Sequence, residues 1–426
     1  MHDQQHPTSY AVSNASLIDG AGGPPIAAAT VLVHDGKIVA VGRSDDVSIP
    51  SDMPVYNLDG KTLMPGLIDG HVHLRSYAGT GHQDVHLWNV LTFIEEQTLH
   101  GAANAIKALE SGVTTVRDMA GGRVEISVKH VMDAGILPGA RVIASGFVGM
   151  TAGHGDMFVP PAIEQRMWPP VDGVDACRKL IREYARDGAD LIKLCTSGGV
   201  LSLGDKSEWR NYTMEETQAI VDEAHALGKP VAAHAHTRAG IEQALVAGVD
   251  TLEHGTHLDD ELIEMMLERR TWLCPTLSIG EYLLDHGVER GVPAESLAKA
   301  RETDVARQVS MRKAYQAGVR IFMGTDSCNT MAFGGHAREL ELMHRRIGMT
   351  LMETIVAATA SAADALGIGD RTGTIACGKS ADLLVVDGDP LADITILQDR
   401  DRLLGIFREG RLLVDRGLPR LLVNVV

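Results

Sequence analysis

The residues able to do chemistry in this 426-residue chain gather at the ends of short apolar runs. Asp69-Gly70-His71-Val72-His73 closes the run PGLIDGHVHL. Strand side chains alternate, so His71 and His73 project from one face with imidazoles close enough to share a metal. In a chain with 18 histidines, such a pair alone reads first as a solvated strand end. Its neighbours change that reading. DLIKLC carries Lys193, PVAAHAH carries His234 and His236, DTLEHG carries His254, and VRIFMGTDS carries Asp326. Each has an ordinary alternative: Lys193 snorkelling from a strand end, His254 satisfied in the core beside Glu253, Asp326 capping the next segment. Five such coincidences at five strand ends are improbable.

Further residues are candidates for the substrate side. His236 shares a strand face with His234, and His154 sits in the Gly-rich loop GMTAGHGD, of a kind able to reach over a barrel mouth. Tyr77, Arg210 and Tyr212 could bind a substrate carboxylate, although each residue type more often packs or faces solvent. His82 and His86 have i, i+4 spacing but no acidic partner, which favours a surface helix. Cys195, two residues after Lys193, reads as a small buried packing residue. The stretch Gly373 to Ser380, GTIACGKS, satisfies the phosphate-binding loop pattern. That pattern needs a helix after it, so that amides at the helix N-terminus cradle phosphate. The next residues are instead the β run ADLLVVDGD, so nucleotide binding is rejected.

The elements that must position these residues alternate regularly. Eight short apolar runs, from PGLIDGHVHL to VRIFMGTDS, are separated by amphipathic stretches such as TMEETQAIVDEAHALG. Eight βα units over roughly 300 residues predict a TIM-type (β/α)8 barrel over 65–368, with its site at the C-terminal strand ends. Both chain ends read differently. ATVLVHDGKIVAVG and LLGIFREGRLLVDRG are hairpins turning at Asp35-Gly36 and Glu409-Gly410. Residues 8–64 and 369–426 are therefore expected to share a small β-sandwich domain, giving an α/β fold overall.

Acidic residues outnumber basic ones 56 to 39, and a net charge of -17 repels phosphate backbones and anionic lipid, so neither nucleic acid nor membrane is an expected partner. Five scattered cysteines without a CxxC pair suggest free thiols and a reducing, cytoplasmic setting. The first residues lack a basic segment and an apolar segment, and a start left by removal of a signal peptide would read the same way.

PGLIDGHVHL, strand-borne Lys193, His234, His254 twenty residues on, Asp326 in GTDS and the closing GTIACGKSADLLVVDGDPLADI together resemble the metal-dependent amidohydrolase superfamily. Within it, VAAHAH and LEHGTH are similar to the branch of Xaa-Pro dipeptidase-like carboxypeptidases, imidazolonepropionase-like enzymes and amidases that hydrolyse ochratoxin A, the last being the nearest match. The resemblance implies two divalent metals, expected to be zinc: His71 and His73 on one, His234 and His254 on the other, Asp326 near the first, and a carbamylated Lys193 bridging both. Burial favours the neutral amine of a lysine, which can react with CO2 to give a carbamate with two anionic oxygens. By the same resemblance His236 falls on the substrate side and Asp326 is the proton shuttle.

The implied activity is hydrolysis of the amide of N-acyl amino acids or dipeptides in carboxypeptidase fashion, ochratoxin A among them, yielding ochratoxin alpha and phenylalanine. The alternatives are a metal-dependent deaminase or a cyclic-amide hydrolase like imidazolonepropionase, and, more remotely, a non-catalytic scaffold. Deaminases of similar fold use one metal and a glutamate, which leaves Lys193 without a role. Analogy with the branch also implies a homo-oligomer, with an octamer as the candidate assembly.

Overall fold

The computed structural model describes residues 7, 9–79, 85–154, 167–202 and 204–419. His82 lies outside these residues, as does the side chain of His86, whose backbone belongs to the helix Val85–Leu91.

Strands β1 (Tyr10–Leu17), β2 (Ile26–His34), β3 (Lys37–Arg43), β4 (Val55–Asn57) and β5 (Thr62–Pro65) come from the N-terminal end. After the central region, β13 (Leu383–Val386), β14 (Leu403–Arg408) and β15 (Arg411–Asp415) complete the set. The expectation that the two chain ends combine holds: they form one mixed eight-stranded sheet, with β5 joining β1 to β13. Asp35-Gly36 and Glu409-Gly410 both turn with positive φ at each residue (46° and 76°, 52° and 73°), the geometry of a tight two-residue hairpin. The two tips meet, since a side chain at Gly36 would come within 2.4 Å of the Glu409 carbonyl. Its strands share an apolar core in which Tyr10, Tyr56 and Phe407 pack with ring centroids 5.3–5.8 Å apart.

Between the ends, β6 (Leu67–Val72), β7 (Val113–Asp118), β8 (Arg141–Phe147), β9 (Leu191–Cys195), β10 (Val231–Ala235), β11 (Thr251–His254) and β12 (Trp272–Cys274) form a parallel sheet in sequential order. Helices separate successive strands; Met214–Ala226, for example, opens with a Thr213/Glu216 capping box, and Arg238–Ala247 ends at the left-handed Gly248. The eighth run, 319–327, is not a continuous strand. It bridges Leu273 of β12 through Ile321 and Val72 of β6 through Ser327, which closes the ring. Asp326, just before the Ser327 bridge, takes a left-handed conformation (φ 62°), uncommon for a residue with a Cβ.

Arg141 of β8 and Asp382 beside β13 join barrel and end sheet by a buried ion pair of 2.7 Å. The stretch 373–380 is followed by β13 and runs along β3 through a Lys37–Ser380 bridge, so no helix stands ready for phosphate there. Among the described residues no helix is long and apolar enough to cross a membrane, and all five cysteines are free.

Candidate metal centre and active site

The C-terminal ends of the barrel strands enclose one cavity, lined among others by His71, His73, Lys193, His234, His254 and Asp326. Alternation on β6 places the His71 and His73 rings 5.5 Å apart, and both approach Asp326 Oδ1, at 3.5 and 2.8 Å from their Nε2 atoms. His254 lies 5.2 Å from His71 and 4.6 Å from His234, ring centre to ring centre, and so links the two sides of the cluster. Ligand atoms of His71, His254 and Asp326 lie within 4.8 Å of one another, as do those of His234, His236 and His254. His254 and Asp326 both adopt positive φ (71° and 62°), a strained conformation for residues with a Cβ that aims their side chains inward.

Protonation states suit a cation. Burial, then repulsion from neighbouring histidines and Lys193, holds the imidazoles of His234 and His254 well below their usual range, so both are neutral and able to ligate. Burial raises the Asp326 carboxyl, but His71 and His73 outweigh it and bring it down to about 2. Lys193 is 2% exposed, and its amine makes no hydrogen bond or ion pair among the described residues. A buried amine without a partner amid neutral imidazoles and an ionised carboxylate fits a donor set for divalent cations, and its own modification to a carbamate would complete that set.

The residues behind the cluster were not singled out from the sequence. His71 Nδ1 donates to Glu253 Oε2 (2.8 Å), which turns Nε2 toward the cluster. Glu253 Oε1 in turn accepts from Arg117 (2.8 Å) and Thr251 (2.6 Å). Asp69 accepts from the His71 and Thr325 amides, the Thr325 hydroxyl and His336, tying β6 to the eighth run. The available signal was charge facing the barrel interior: Arg117 in VTTVRD and Glu253 in TLEH are opposite charges inside apolar strands.

On the substrate side, His154 stacks on His234 with centroids 4.2 Å apart and pairs with Ser202. Burial brings its imidazole down to about 4. His236 also lines the cavity; it stacks on His254 at 4.7 Å, and its Nδ1 pairs with Thr256 at 2.7 Å. Cys195 is buried in the same wall, its thiol pushed up to about 12 by burial. Three of the candidates for a substrate carboxylate are not among the residues that line this cavity. The Tyr212 hydroxyl is buried and donates to the Val148 carbonyl at 2.6 Å, away from the cavity lining. Arg210 is exposed beyond the lining, and Tyr77 packs against Trp88 and His100. Among the described residues the arginines lining the cavity are Arg75, two residues after His73, and Arg307, on the helix Ala294–Ala317.

A family profile described as the amidohydrolase family matches residues 62–413, which is most of the chain. The chain belongs to the amidohydrolase family. Ochratoxinase of Aspergillus niger is 32% identical over 427 residues, covering 95% of this chain and 86% of that protein. The crystal structure of A. niger ochratoxinase superposes with a TM-score of 0.84 at 30% identity, covering 96% of each chain. That of a Xaa-Pro dipeptidase with bound methionine in the active site gives 0.86 at 31% identity, covering 95% of this chain and 99% of the other. As a member of this family the chain is a hydrolase acting on amide bonds.

Proposed function

We propose that the chain is a two-metal amide hydrolase that releases the C-terminal residue from N-acyl amino acids and dipeptides, ochratoxin A among them. The observation that carries the two-metal reading is Lys193, whose buried amine has no partner among the described residues and acts electrostatically on His71, His234, His254 and Asp326. As a carbamate it would hold two cations, with His71 and His73 on one side and His234 and His254 on the other. Divalent ions bound there, zinc being the expected metal, polarise a carbonyl and lower the pKa of water.

The protein's own groups supply the rest. Asp326 is ionised at neutral pH and hydrogen-bonded to His73, so it can accept the proton of an attacking water and hand it to the departing amine. Glu253 holds His71 in the tautomer that offers Nε2. Phe147, Trp168, Ile279 and Leu283 make the cavity wall apolar, which favours an aromatic or aliphatic group on the substrate. The relatives support the bond class: one is called ochratoxinase, and another was solved as a Xaa-Pro dipeptidase.

The test is a panel of N-acyl amino acids, dipeptides and ochratoxin A, run with metal quantification. Release of free amino acid at close to two metals per chain is the expected result, with phenylalanine from ochratoxin A. One metal per chain with ammonia as product would replace this reading by a deaminase. Amide cleavage without phenylalanine from ochratoxin A would remove only that substrate.

A further inference from the structure

We infer that Arg307 receives the α-carboxylate of the amino acid released, and so sets the preference for free-acid substrates; this deepens the hydrolase reading and rests on it for the identity of the bond cut. Arg307 projects from the helix Ala294–Ala317 into the cavity wall beside His236 and Asp326, and only 3% of its surface is exposed. A guanidinium taken out of water needs a counter-charge, yet Arg307 has no ion pair among the described residues. Its Nη1 donates to the Thr276 carbonyl at 2.9 Å and more weakly to the Thr276 hydroxyl at 3.4 Å, while its Nε has no hydrogen-bond partner among the described residues. The acids that act on it from a distance are occupied. Asp304 takes Arg346 and Gln308, Glu339 takes the Leu277 and Ser278 amides, and Asp326 takes His73.

The cation is also given room. Gly280 lines the same cavity, and a Cβ there would stand 2.3 Å from Arg307 Nη2, so the bare backbone is what lets the guanidinium lie in the wall. Arg75, the other cavity arginine, is already engaged by Glu125 at 3.4 Å and by the Trp168 ring. Placement relative to the cluster fits a released residue: Thr276 Oγ1, which accepts from Arg307, pairs at 2.7 Å with His254 Nδ1. Arg307 is thus one hydroxyl removed from the histidines, and an α-carboxylate is two bonds from the scissile nitrogen. A planar guanidinium suits it, because a carboxylate can take two parallel N–H bonds.

The experiment compares N-benzoylphenylalanine with its C-terminal amide, in the metal-loaded wild type and in Arg307→Met and Gly280→Ala. Arg307→Met should reduce the free-acid over amide ratio of kcat/KM by at least about 30-fold, mostly through KM, as expected when one member of a buried charge pair is removed. Gly280→Ala, which keeps the arginine but displaces it, should lower the same ratio. Because the replaced cation is uncompensated, Arg307→Met should melt no lower than wild type. A merely structural arginine would instead lower the melting temperature and depress both substrates alike, and an unchanged ratio overturns the inference. Calorimetric titration with L-phenylalanine against phenylalaninamide keeps the two readings separate. If wild type cleaves neither substrate, the hydrolase reading fails, and the anchor stands only if L-phenylalanine binds wild type and weakens by a similar factor in Arg307→Met.

Discussion

Replacing Glu253 by glutamine changes one oxygen to an NH2 at a site where every hydrogen bond is accounted for. The carboxylate accepts from His71 Nδ1, Arg117 Nη2 and Thr251 Oγ1 at 2.8, 2.8 and 2.6 Å. Glutamine must keep its oxygen toward Arg117 and Thr251, since an NH2 there would face donors. Its NH2 then faces His71 Nδ1. Two donors cannot share that contact, so His71 must bare Nδ1 and carry its proton on Nε2, the atom directed at the cluster. A protonated Nε2 does not ligate. Loss of such a supporting contact typically lowers metal affinity about 10- to 100-fold, which removes about 1.4–2.7 kcal/mol of metal-linked stabilisation. Independently, weakening the charge opposite buried Arg117 should cost the metal-free protein about 1–3 kcal/mol. Chelator competition measures the first effect, and denaturant unfolding of stripped and loaded protein separates the two. Metal affinity within about twofold of wild type would refute the tautomer argument, whatever happens to stability.

Lys193→Ala should bind at least one metal fewer per chain and lose most activity, with acetate restoring part of each; full metal content at a near-normal rate would sink the two-metal reading. Asp326→Asn keeps the shape but removes the base, so kcat should fall about 10²- to 10⁴-fold, and a loss below roughly tenfold would move the shuttle to His236 or His154. At the junction of barrel and end sheet, burial raises the Asp382 carboxyl, but Arg141 outweighs it and holds the group below its ordinary 3.8. Because that folded value is depressed, the stabilisation is complete above the unfolded value and fades as pH falls through the folded one. Asp382→Asn should therefore be destabilised by about 3 kcal/mol at pH 7. In urea titrations the gap to wild type should narrow below about pH 4, and a gap constant down to pH 2 would show that the charge is not what matters.

The barrel was legible because its determinants are local and repeated: apolar runs of strand length, amphipathic stretches between them, and glycines or capping residues at the joints. Both hairpins could be read at Asp35-Gly36 and Glu409-Gly410, since a tight turn needs positive φ and few residues supply it. The cluster was legible for a related reason. His71, His73, Lys193, His234, His254 and Asp326 interrupt apolar strands at their C-terminal ends, and a barrel brings all such ends to one mouth.

What the sequence left open depends on distances between residues far apart in the chain. Arg210 and Tyr212 come after β9, in the loop before the helix Met214–Ala226; the first is exposed, and the hydroxyl of the second is committed to the Val148 carbonyl. Arg307, 114 residues after Lys193, reaches the cavity only because Gly280 leaves space beside a different helix. The pairing of Glu253 with His71 and Arg117 spans 182 and 136 positions and exists only once β6, β7 and β11 share a closed ring. Residue type and spacing chose the chemistry that the chain can attempt. Closure of the barrel chose which residues distant in the chain meet, as Glu253 meets His71 and Arg117.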